Sequence, residues 1–166
     1  MGYQELIQGL LEGAADCVFT LDRLMDHRAE IASSVLSREE MVLIFRSANL
    51  HSPEECGKII ENRGLILVDK ESQGLYHILQ ILNELKVTPQ IRFCESAEDM
   101  TMTVETGESA AIVPRSVAQK LRNPNLQILL LPGQQAKLAL SLLWNKNQMS
   151  PIMPEVLEAL QETLGE

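Results

Sequence analysis

Aromatic residues are scarce: one Trp, two Tyr and three Phe make up 4% of the 166 residues. Single-strand nucleic-acid binders stack bases on clustered rings, so that class is set aside, and the core has to be built from Leu, Ile, Val and Met. Cysteine is equally sparse. Cys17, Cys56 and Cys94 lie far apart with no C-x-x-C pair, which points to three reduced thiols rather than a disulfide framework or a zinc site. Basic residues number 14 against 23 acidic ones, giving a formal charge of −9, and no Lys/Arg cluster offers the footprint of a DNA surface. No run approaches the ~18 uninterrupted apolar residues of a membrane helix, and "MGYQELIQGL" lacks a basic region followed by an apolar one. The expectation is a cytoplasmic protein with no membrane partner.

What is present is a chain that is 45% hydrophobic, enough for one compact unit or two small lobes. "YQELIQGLLEG" spaces Leu6, Ile7, Leu10 and Leu11 for a helix that Gly13 closes. "ADCVFTL" reads as a buried strand. "EEMVLIFRS" is apolar without alternation from Met41 to Phe45, which predicts a strand covered on both faces, as in parallel sheets. "HSPEECGKIIENRG" has the capping-box spacing of Ser52 and Glu55 with Pro53 between them, so a helix is expected up to Gly64.

"LILV" is then a short strand, and "SQGLYHILQILNELKV" places Leu75, Ile78, Leu79, Leu82 and Leu85 on one helical face. "PQIRFCE" is another strand, and Ser96 with Asp99 announces a helix that ends at Gly107. "SAAIV" follows as an inner strand that Pro114, lacking an N–H, cuts into a helix "RSVAQKL". "NLQILLL" and "AKLALSLLW" are further strands, and "SPIMPEVLEALQETLG" is a closing helix with Val156, Leu157, Leu160 and Leu164 inward.

Strand and helix alternate through the middle of the chain, so the fold class is α/β with βαβ units and a mostly parallel sheet. In such sheets ligands sit beyond the carboxyl ends of strands. Three places qualify: Asp69 to Ser72, Glu95 to Ser96, and Val113 to Ser116.

Catalytic and metal constellations are weak. His27, His51 and His77 stand in no triad context, G-x-S-x-G is absent, and no i,i+4 His pair or Cys partner has ligand spacing. His77 reads as a surface or interface residue, and Glu39/Glu40 and Glu54/Glu55 as solvated faces or helix starts. "GESAAIVPRS" lacks the glycines and the Lys-Ser/Thr of a phosphate loop. No enzyme activity, metal or other cofactor is therefore expected. The stripe from Leu75 to Leu85 reads as core rather than as a partner-binding face.

Five segments in order resemble the effector-binding (substrate-binding) domain of LysR-type transcriptional regulators. They are "LIQGLLEGAADCVFT", "LSREEMVLIFRSANLHSPE", "GLILVDKESQGLYHILQILNELKVTPQIRF", "ESAEDMTMTVETGESAAIVPRSVAQKL" and "LSLLWNKNQMSPIMPEVLEAL". The fourth is the most specific. The resemblance implies a type 2 periplasmic-binding-protein-like fold, with two α/β lobes of mixed sheet and an effector held in a cleft between them.

Residues 1–37 and 125–166 would form an incomplete first lobe and 38–124 the second. On this resemblance, the family's DNA-binding winged helix-turn-helix, and the first strand, helix and second strand of its first lobe, would be missing from this stretch of sequence. The implied function is sensing of a small polar or anionic effector, controlling DNA binding and transcription through the geometry of a homodimer or higher oligomer. DNA would be reached only through the absent domain. Asp69, Lys70, Glu71, Ser72, Ser96, Pro114 and Arg115 would line the second lobe's wall and Tyr3 the first lobe's, with Lys70 and Arg115 supplying positive charge for a carboxylate.

Tyr3 stands where the family often has Thr or Ser, and Ser109 where Gly is usual. Ser72 and Gln73 occupy the position of the peroxide sensors' reactive cysteine, which disfavours redox sensing by that route. The alternatives are a free-standing solute-binding or enzymatic domain of the same fold, or a truncated protein-interaction fragment.

Overall fold

The structure, a computed structural model of the chain, describes residues 3–22, 28–68 and 73–164. Asp69, Lys70, Glu71 and Ser72 fall outside them, and of Tyr3 only the backbone is described. The chain divides into two compact units, residues 1–39 with 138–166 and residues 40–137. It passes from one to the other inside one long strand and again at the start of another.

The first unit opens with α1 (Tyr3–Leu11). Gly13, at φ 74, makes the left-handed turn after it, bringing the chain to β1 (Cys17–Asp22). That strand pairs antiparallel with β7 (Lys137–Asn145), in a register from Cys17 opposite Trp144 to Asp22 opposite Ala139. The sheet continues from β7 to the first half of β2 (Ile31–Arg46). Because neighbouring strand residues point to opposite faces, Leu143 and Leu142 serve two cores. Leu143 joins Ile7, Leu10 and Ile31 under α1. Leu142 joins Leu36 and Met153, with Leu157 and Leu160 of α6 (Met153–Leu164) against them.

Two expectations for this unit change. β1 is not buried: Phe19 and Leu21 are 53% and 38% exposed, because β1 pairs on one side only among the described residues. Leu164 lies in the last turn of α6 and is exposed, beyond the reach of the Leu36–Leu142 core.

In the second unit the other half of β2 lies between two antiparallel partners. β5 (Ala111–Pro114) sets Pro114 opposite Met41, and β6 (Leu126–Leu130) sets Leu130 opposite Val42. Met41 to Phe45 are all buried, so the unbroken apolar run did mark a strand covered on both faces. Its neighbours, however, are antiparallel. Apolar continuity reports burial and not strand direction. Residues 31–40, more polar and partly exposed, extend the same strand and carried no run to announce it. The segment around β6, read from the sequence as part of the first lobe, belongs to the second unit because its ladder partner is β2 from Val42 to Arg46.

A 3-10 turn (Pro53–Glu55) leads into α2 (Cys56–Arg63), and the Glu55 carboxylate accepts the Ser52 amide at 2.7 Å. β3 (Leu65–Val68) pairs in parallel with β4 (Ile91–Cys94). On its other side β3 meets the start of β5, where Ile66 N–H donates to Ala110 O at 2.9 Å and Ala110 N–H to Gly64 O at 3.1 Å. The sheet is therefore mixed, with parallel order confined to β4, β3 and β5.

α3 (Gln73–Leu85) buries His77, Ile78, Ile81 and Leu82, whereas Leu79 is exposed. The helix is rotated from the stripe that leucines alone suggest, and His77 is a buried residue rather than a surface one. α4 (Ala97–Thr106) sends Met100 and Val104 to a core with Val42, Ile44, Ile66, Ala111 and Val113. It ends on Gly107 in the left-handed conformation.

Candidate functional site at the strand ends of the second unit

Val68 is in register with Cys94 at the carboxyl ends of β3 and β4. β5 runs parallel to β3, so Pro114 ends at the same side of the sheet. Antiparallel β2 brings Met41, and with it Glu40, to that side. Short strands with helices or loops leaving them all at one end create this convergence.

Ser96 is extended (φ −141°, ψ 161°), and its Oγ accepts the Asp99 amide at 3.1 Å. It is thus the N-cap of α4, with one acceptor committed to the helix. Pro114 is not the first helical residue. It closes β5 with φ −57° and ψ 142° and caps α5 (Arg115–Ala118), a single turn rather than the longer helix that "RSVAQKL" suggests. Its fixed φ suits extended backbone as well as a helix start, and here its register with Met41 keeps it in the sheet.

Arg115 Nη1 donates to Glu40 Oε2 at 3.0 Å, with both side chains about half exposed. This partner was missed because Glu39/Glu40 read as a solvated pair. Only the β2–β5 register, which no local signal encodes, brings the carboxylate to the arginine.

Cys94 Sγ lies 3.4 Å from both Leu67 O and Ser96 O, and burial pushes its thiol above the ordinary range. It therefore acts as a small, protonated filler beside the cap. Of the sequence-derived residues, the described ones Ser96, Pro114 and Arg115 share one end of one sheet. Tyr3 begins α1 of the other unit.

Another polar chain lies elsewhere in this unit. Ser47 Oγ is 3.0 Å from His51 Nε2, and His51 Nδ1 is 3.3 Å from Glu55 Oε1. The Asn49 amide also donates to Ser47 Oγ at 3.2 Å. The arrangement ties the loop of residues 47–52 to the start of α2. Backbone donation from Ser52, then the His51 side chain, holds the Glu55 carboxyl below its usual range.

The family model described as LysR substrate binding domain matches residues 1–165. The chain belongs to that family. This LysR substrate-binding domain is similar to solved regulators of the same kind. Full-length CbnR bound to its target DNA aligns over 100% of this chain and 59% of its own, with 21% identity and a TM-score of 0.62. The BenM effector-binding domain with its effector benzoate aligns over 98% of this chain and 75% of its own, with 19% identity and a TM-score of 0.65. The reduced regulatory domain of OxyR from Pseudomonas aeruginosa aligns over 97% and 77%, with 15% identity and a TM-score of 0.63.

At these identities the likeness shows the fold, which is the α/β periplasmic-binding-protein-like one. The chain spans 56% and 59% of the two CbnR chains it matches. No curated protein matches the sequence. Among the described residues no helix is long and apolar enough to cross a membrane.

Proposed function

We propose that this LysR substrate-binding domain senses a small polar or anionic effector at the carboxyl ends of β3, β4 and β5, and so controls transcription by a whole regulator. Arg115 carries the reading. Its guanidinium stands where the strands end, and its partner Glu40 is an exposed carboxylate that an incoming anion can replace without leaving a buried charge behind. Lys70, which follows β3 in sequence, would supply a second positive charge. Asp69, Glu71 and Ser72 would join Ser96 and Pro114 on the second lobe's side of the site, and Tyr3 is assigned to the first lobe. BenM is solved with the carboxylate benzoate as its effector, which supports an anionic ligand class here.

An effector shifts a conformational equilibrium only by binding one state better than another. Control therefore runs through the arrangement of subunits in a homodimer or higher oligomer of the regulator. DNA contact falls to another part of the regulator, since this chain carries a charge of −9 and no basic cluster. Thermal unfolding against a panel of metabolite carboxylates tests the reading. A carboxylate that raises the wild-type midpoint should lose most of that effect in Lys70→Ala and in Arg115→Ala. A shift that both variants retain would remove these residues from the site.

A further inference from the structure

We infer that the second unit carries another oxyanion site, formed by Arg63 and Arg92 at the opposite ends of β3 and β4. Both arginines line one open hollow of about 450 Å³, together with Gly64, Gln90 and Glu108. Gly64 and Gln90 immediately precede β3 and β4, whereas the effector site lies beyond Val68 and Cys94. Each strand is four residues long. At ~3.3 Å per residue Gly64 and Gln90 stand roughly 13 Å of sheet from Val68 and Cys94, and Arg92, the second residue of β4, about half that from Cys94.

The two guanidiniums are held in place before any ligand arrives. Arg63 lies over the Phe45 ring, with Cζ 5.3 Å from its centroid, and Nη1 donates to Arg46 O. Arg92 Nη2 donates to Ser109 Oγ at 2.6 Å and more weakly to Glu108 O at 3.4 Å. Ser109 is 1% exposed, so this anchor is rigid.

A guanidinium has five N–H donors, and these contacts use only part of each set. Gly64 lets the β3 and β4 backbones approach closely at the floor of the hollow: a Cβ there would meet Gln90 O at 2.7 Å, and at φ 70 a side chain is disfavoured in any case.

Two fixed arginines against one carboxylate leave the hollow with an excess of positive charge in a chain of charge −9. Glu108 is a weak occupant, 64% exposed and 3.9 Å from Arg92 Nη1. A free phosphate or carboxylate can accept paired hydrogen bonds from guanidinium forks at shorter range. The ligand class is therefore a small oxyanion, bound between the two forks with the Gln90 amide beside it.

The test is thermal unfolding of the whole chain in inorganic phosphate and, separately, in citrate, with ionic strength held constant by sodium chloride. At about tenfold excess over the dissociation constant, one of these anions should raise the wild-type midpoint by about 3 °C. Arg63→Gln and Arg92→Gln should each abolish the shift, while Arg115→Gln preserves it. Glu108→Gln alters only an exposed side chain and removes the competing carboxylate, so it should tighten binding about twofold to fivefold. That gain keeps the test decisive if an arginine variant folds poorly. The inference is overturned if neither anion shifts wild type or Glu108→Gln, or if the shift survives both arginine substitutions. A shift lost only in Arg115→Gln would place the anion at the effector site, sparing that proposal and sinking this one.

Discussion

Arg115 and Glu40 form a 3.0 Å ion pair at the point where β5 ends and the second half of β2 begins. The pair is about half exposed, so it adds at most ~1 kcal/mol to stability. Under the proposed function, its charge balance bears on effector binding instead. Glu40→Gln should leave the unfolding midpoint nearly unchanged while strengthening the response to any carboxylate effector severalfold. Isothermal titration of the variant against wild type measures this, and equal affinities would mean that Glu40 does not compete for Arg115.

Ser96 caps α4 through its hydroxyl, and that helix sends Met100 and Val104 into the sheet core. Ser96→Ala should cost about 1 kcal/mol in urea unfolding, with Ser96→Asp recovering most of it. If the loss persists in the aspartate variant, the hydroxyl is acting through something other than the cap.

Glu55 binds the Ser52 amide and His51, and both contacts favour the ionised carboxyl, whose pKa is lowered from the usual 4.5. A depressed folded-state pKa gives stabilisation that is complete above pH 4.5 and disappears as pH falls through the folded value. Glu55→Gln should therefore lose stability at pH 7 and show a flatter acid limb than wild type. Parallel limbs down to the acid transition would mean that Glu55 contributes nothing through its charge.

Cys56 is fully buried in α2, with Sγ 3.8 Å from Leu130 O. Burial, then the Glu54 and Glu55 charges, pushes its thiol up to about 11 from 9.0. The folded pKa is raised, so this contribution is present below pH 9 and lost as pH climbs through about 11. At pH 8 Cys56 should be the slowest of the three thiols to react with a disulfide reagent, reaching the rate of a free thiol only in denaturant. Mass-spectrometric mapping of the labelled peptides gives the order directly.

Local signals were legible where the physics is local. Ser96 with Asp99, Gly107 after α4, Gly64 after α2 and Glu55 reaching back to Ser52 are contacts within a few residues, and each appears in the structure. The apolar run from Met41 to Phe45 announced a strand buried on both faces for the same reason. The sequence also determined the family, because five ordered segments carry its pattern.

Tertiary structure decided everything that depends on partners distant in the chain. It set the antiparallel neighbours of β2, the exposure of β1 and the placing of β6 in the second unit. Burial of His77 also follows from how α3 is seated, which leucine spacing alone does not specify. The same holds for the pairing of Arg115 with Glu40, 75 residues apart, and of Arg92 with Ser109. Strand register and helix rotation are chosen by the fit of whole surfaces, and a one-residue slip exchanges the two faces of a strand. A capping serine can be read from its neighbours; the carboxylate that meets an arginine across a sheet appears only when the sheet has formed.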